Sequence, residues 1–105
     1  MTVENASPGT SRNPSPISPL DSDGYRTIST TIRQEFPDVI IAPNLLAAAT
    51  DSSFYTALTP NVYRFLALDI DPSAFSMVHG FNERVPPEKY LKTVQFTAQL
   101  IQNIP

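Results

Sequence analysis

Eleven prolines cut these 105 residues into short stretches, and neither a helix interior nor a central strand can run through one without losing a backbone donor. Their frequency is about twice the ~5% usual in globular chains. Pro37, Pro43, Pro60, Pro72 and the pair Pro86 and Pro87 therefore set most element boundaries before any periodicity is considered. Residues 1–20, rich in Pro, Ser, Asn and Thr and almost without apolar side chains, cannot offset their ordering entropy by burial. They are expected to be an extended arm or linker. The short TVENAS near the start could close a strand only against a sheet supplied from elsewhere.

Between the prolines, apolar spacing predicts the elements. Asp21 or Ser22 can cap a helix in which Tyr25, Ile28, Ile32 and Phe36 recur at steps of three and four, and Pro37 stops it. DVIIAP is short, β-branched and apolar on both faces, as a strand buried within a covered sheet would be. Thr50 or Asp51 can cap a short helix carrying Phe54, Tyr55 and Leu58, and Thr59 to Asn61 form a turn. VYRFLAL predicts a second strand. The stretch from Asp69 to Val85 has no clear period and reads as a loop with one helical turn at Pro72 to Phe75. Pro86, Pro87 and Glu88 suit a helix start, after which Tyr90, Leu91, Val94, Ala98 and Ile101 share a face to about Asn103. The order helix, strand, short helix, strand, loop, helix is α/β, and two strands this apolar need more sheet than the chain supplies.

Composition narrows the function classes. With 41% hydrophobic residues, six Phe and four Tyr, one modest core is affordable, and folding at this length hides roughly 65% of the unfolded surface. The net charge of −3, with seven scattered Lys and Arg, offers no basic stripe for phosphates or anionic lipid. Nucleic acid is thus not expected as a partner. The absence of cysteine removes disulfides, thiolate metal sites and thiol nucleophiles. No stretch has the length of a membrane span or the apolar core of a signal peptide.

Few residues carry chemistry. There is no Gly-rich phosphate loop, and no serine stands in a GxSxG elbow to be activated by the one histidine, His79. Asp51, Asp69, Asp71 and Glu83 match no metal spacing, and each has a plainer role as a cap, a turn former or a solvated charge. His79 admits two readings. It is either a partly buried ring bonded to backbone or to Glu83, or a metal ligand whose companions lie outside this chain. Spacing alone does not choose.

The ordered series APNLLAAATDSSFYTALTPNVYRF (42–65), HGFNERV (79–85) and KYLKTVQFTAQLIQN (89–103) resembles the C-terminal end of the aminoacylase and carboxypeptidase family of dinuclear zinc exopeptidases. It is most similar to the branch of carboxypeptidase S, Gly-Xaa carboxypeptidase and the N-fatty-acyl-amino-acid synthase/hydrolases. PSPISPLDS (14–22) resembles that family's return from an inserted lid domain. The resemblance implies that residues 1–20 are the returning arm and that residues 21–105 are the C-terminal part of a three-layer α/β/α catalytic domain. In the family, two zinc ions polarise the scissile amide of an N-acyl amino acid or dipeptide, and a glutamate is the general base. The histidine opening the HGxNE motif is a zinc ligand, and the matching position is His79.

By the same resemblance, Asn82 and Glu83 would shape the loop rather than touch metal, and a further group would fix the imidazole tautomer. Arg84 would be a surface or structural ion-pair residue. The general base and the remaining ligands belong to the family's N-terminal half, which this sequence lacks. The expected function is therefore that of a fragment of a zinc metallopeptidase, contributing one ligand and inactive alone. The alternative is a non-catalytic binding or adaptor module derived from that fold, able to self-associate through exposed apolar strands. Relatives are vacuolar or secreted, which leaves localisation open here. Ala48 and Ala49 stand where relatives usually carry Gly before TDS, and Ser53 stands where Arg is frequent, which weakens the case for substrate contact at that loop.

Overall fold

In a computed structural model that describes residues 14–48 and 50–105, Ser22 begins the first helix, its extended backbone placing the side chain to accept from Tyr25 N–H at 3.1 Å. This helix, α1, spans Asp23–Glu35, with Asp23 at the positive end of its dipole and Arg33 in the last turn. Phe36 closes it by donating its N–H to Ile32 O at 2.8 Å, and Pro37 prevents continuation. The second helix, α2, spans Pro87–Asn103 and starts without a side-chain cap. Pro87 stands where a missing N–H costs nothing. Between them lie two 3₁₀ turns, Asp51–Phe54 and Pro72–Met77. Thr50 caps the first, its hydroxyl accepting from Ser52 N–H at 3.3 Å.

The helices pack against each other, and the core sits in their seam. Ile32, Ala67 and Phe96 are buried, with Ile28, Phe36, Ile41 and Leu100 packed around them. The Phe96 ring lies 5.0 Å from that of Phe65 and 6.5 Å from that of Phe36, within the range of favourable tilted aromatic pairs. Polar clasps close the seam. The Asn103 amide donates to Thr31 Oγ1 at 2.9 Å and to Gln34 Oε1 at 2.7 Å, while Thr93 Oγ1 donates to Ala67 O at 3.0 Å. Thr31, wholly buried, also donates to Thr27 O at 2.8 Å, so its hydroxyl is satisfied twice.

The expected α/β order is overturned, since no strand forms among the described residues. Neither predicted strand segment takes regular structure, and a segment becomes a strand only when a neighbour's ladder takes its N–H and C=O groups. In the second segment a side chain takes those groups at one residue. Ser18 Oγ donates to Val62 O at 2.9 Å and accepts from Val62 N–H at 3.0 Å. Farther along, Leu68 N–H turns back to Leu66 O at 2.8 Å, a three-residue turn incompatible with a continuous ladder. In the first segment Ile41 reaches the core while Ile40 is 93% exposed, so burial on both faces is not realised. The described residues therefore form a helical pair joined by 3₁₀ turns and by segments without regular structure, and not the helix–strand α/β order expected.

Two smaller expectations also change. The apolar face read for α2 points outward: Tyr90, Leu91, Val94 and Ile101 are exposed, whereas Phe96 is buried and Leu100 packs on the core. The predicted short helix after Thr50 is a 3₁₀ turn that leaves Phe54, Tyr55 and Leu58 exposed. The helical turn after Pro72 is present and extends to Met77. The expected TVENAS strand and Ala49 lie outside the described residues. The part of the arm that is described is tied down. Tyr63 donates its phenolic proton to Pro19 O, which leaves the Ser22 hydroxyl to donate to Tyr63 Oη at 2.5 Å.

With so small a core, much apolar surface stays open. Ile40, Leu58 and Phe81 are among the large apolar side chains left exposed.

Candidate functional site

His79 stands two residues beyond the 3₁₀ turn Pro72–Met77, at the start of a short loop that leads to Pro86 and α2. The loop is built by backbone conformation rather than by packing. Gly80 N–H donates to Met77 O at 2.9 Å, turning the chain immediately after the 3₁₀ segment. A Cβ at position 80 would come within 3.2 Å of that same carbonyl, closer than ordinary contact, which accounts for glycine there. His79 has φ 61° and Asn82 φ 63°, so both lie in the left-handed region, which costs a non-glycine residue roughly 1–2 kcal/mol, less for asparagine. The two reversals bring residue 83 back toward residue 79, and Glu83 Oε2 accepts from His79 N–H at 3.2 Å.

His79 and Glu83 are both exposed, and Phe81 is 99% exposed at the loop tip. The Glu83 carboxylate thus meets the histidine's backbone and not its ring. No hydrogen bond to either ring nitrogen occurs among the described residues, so the group expected to fix the tautomer is not supplied by them.

The acidic candidates are dispersed. Asp51 lies in the first turn of the 3₁₀ segment that Thr50 caps. Asp69 pairs with Lys89 at the start of α2, joining the chain before the loop to the chain after it. The Asp71 backbone carbonyl accepts from Ala74 N–H at 2.8 Å. Among the described residues no three His, Asp or Glu side chains converge where a metal ion could be held. These residues do not by themselves fit a dinuclear zinc centre, which takes several protein ligands per ion.

One organising side chain had no sequence motif to announce it. Arg64 Nε donates to Ser52 Oγ at 2.6 Å and to Thr50 Oγ1 at 3.4 Å, and its Nη2 donates to Ser15 Oγ at 3.3 Å. The guanidinium therefore fastens the TDS turn to the arm and to the extended segment after Asn61. A lone cation within an apolar run was the available signal. Arg84 is exposed.

No helix among the described residues is long and apolar enough to cross a membrane. The chain matches curated proteins over most of its own length. It is 43% identical over 93 residues to an N-fatty-acyl-amino acid synthase/hydrolase of Mus musculus, an alignment covering 86% of this chain and 18% of that protein. To a probable carboxypeptidase S-like protein of Dictyostelium discoideum it is 38% identical over 90 residues, 86% of this chain and 17% of the other. An uncharacterized carboxypeptidase of Schizosaccharomyces pombe is 31% identical over 96 residues, 87% of this chain and 16% of its own. The chain thus spans less than a fifth of the length of these relatives. No family model matches it, and no solved structure does.

Proposed function

We propose, from the premise that this chain is a homologue of the carboxypeptidase S-like and N-fatty-acyl-amino acid synthase/hydrolase proteins, that it is one segment of a zinc-dependent hydrolase cleaving the amide of N-acyl amino acids or dipeptides. In this reading the chain contributes His79 as a single metal ligand and is inactive alone. The observation that carries it is an exposed imidazole held in a left-handed loop while no acidic cluster gathers beside it among the described residues. Strain of this kind persists only where the surrounding structure holds it, and it clusters at functional sites. The partial coverage of the relatives supports the same reading, since the other ligands and the general base would come from polypeptide matching the rest of their length. Zinc, when bound in such an assembly, would supply polarisation of the scissile carbonyl. This chain's own part is to present one neutral imidazole nitrogen.

The test is complementation. The mouse relative, truncated to remove the matched segment, is co-expressed with this chain, and hydrolysis of an N-fatty-acyl amino acid is measured. Activity is expected only from the pair and is expected to be lost with His79→Ala. Hydrolysis by the isolated chain, or stoichiometric zinc in untagged protein, would overturn the reading.

A second reading, a non-catalytic binding module, is favoured by one observation, the exposed apolar row Tyr90, Val94 and Ile101 on α2. Sedimentation showing a monomer at all concentrations would remove its basis.

A further inference from the structure

We infer that Glu83 is the positioning residue for His79, acting through the histidine's backbone amide and not through its ring. The inference deepens the reading of His79 as a metal ligand and rests on that reading for its purpose, although the geometry stands without it. A side chain's direction is set first by the backbone that carries it, and at His79 that backbone is in a region which L-residues leave unless held.

Two contacts hold it. On one side Gly80 N–H is taken by Met77 O at 2.9 Å, and on the other Glu83 Oε2 takes His79 N–H at 3.2 Å. The first is a backbone turn that any residue at 77 would provide. The second depends on one side chain, and Asn82, itself at φ 63°, turns the chain so that this side chain can reach back. The carboxylate spans four residues and closes 79–83 into a ring of side chain and backbone. The imidazole is exposed and no hydrogen bond reaches its nitrogens among the described residues, so the backbone is what sets where it points. Losing the carboxylate would let φ of His79 return to the negative region, swinging Cβ and the ring away.

The chemistry predicts an order among substitutions. An ionised carboxylate accepts from an amide more strongly than a neutral oxygen does, but Gln keeps the reach and an acceptor. Asp keeps the charge and loses a methylene of reach. Ala loses both.

The experiment uses the complete 105-residue chain, ¹⁵N,¹³C-labelled, in which a single histidine makes the ring and amide signals unambiguous. Glu83→Ala is expected to speed His79 amide exchange about fivefold to tenfold, the scale of one hydrogen bond, and to move its Cα and Cβ shifts from left-handed toward extended values. Amides of α1 and α2 should keep their wild-type exchange. Glu83→Gln should retain most of the protection. Wild-type shifts and exchange at His79 in Glu83→Ala would overturn the inference, and so would equal losses in Glu83→Ala and Glu83→Gln. Should Glu83→Ala also loosen the helices, Glu83→Asp decides: loss confined to the loop supports the inference, and a wild-type loop overturns it. None of these readouts involves metal, so complementation that survives His79→Ala would sink the ligand reading while leaving the Glu83 result intact.

Discussion

Ser29 is 5% exposed on α1 and its hydroxyl has no hydrogen-bond partner among the described residues, in contrast to Thr31 two residues on, which is satisfied from two sides. A buried hydroxyl that has given up water without replacement weakens the fold, and serine is also a poorer helix former than alanine. Ser29→Ala is therefore expected to stabilise the chain by about 1 kcal/mol, read as a higher urea midpoint at unchanged slope. A lower midpoint would mean that the hydroxyl is bonded in solution. Ser22 shows the opposite case, with its oxygen capping α1 while its proton goes to Tyr63. At this scale the sequence was readable where a residue acts on its own neighbours. Ser22 and Thr50 were among the caps named in advance because capping is decided within three residues. For Glu83 the sequence leaves two roles open, a partner for the His79 ring or a shaper of the loop, since a carboxylate four positions from a histidine can reach the ring. Only the reversed backbone at His79 and Asn82 sends it to the amide instead.

Helix α2 is apolar on two faces, and that ambiguity inverted its orientation. Periodicity selected Tyr90, Leu91, Val94, Ala98 and Ile101, yet the side turned to the core carries Thr93, Phe96, Leu100 and Asn103. The larger aromatic and the two polar clasps decide the matter, since Phe96 makes tilted ring pairs with Phe36 and Phe65, Thr93 donates to Ala67 O, and Asn103 finds acceptors on α1. Substitution separates the faces. Phe96→Ala should cost about 3 kcal/mol or more and bring the chain near unfolding, since it empties the centre of a small core. Val94→Ala, on the 48% exposed side, should change stability by about 0.5 kcal/mol or less. Equal losses from the two, measured by circular dichroism in urea, would contradict the packing described. The extended segments teach a related lesson. DVIIAP and VYRFLAL have the composition of strands, but composition supplies no partner, and Ser18 together with the turn at Leu66–Leu68 takes up backbone groups that a ladder would have used.

For the molecule as a whole, the boundaries set by proline were legible and the layering was not, because layering depends on surfaces that these residues do not bury against one another. The metal-site expectation divides in the same way. His79 could be named from the sequence, while the left-handed backbone that presents it, at φ 61°, could be learned only from three dimensions. Phe81, almost fully exposed between the two halves, has a consequence for how the chain is cut. Chymotrypsin should nick it after Phe81 before any other site, and mass spectrometry of a brief digest would show this. The two products should nonetheless elute together under native conditions, sutured by the Asp69–Lys89 pair, the Thr93–Ala67 bond and the tilted ring pair of Phe65 and Phe96. The exposed tip therefore works as a scissile hinge: the covalent thread can be severed there while its flanks go on behaving as one body.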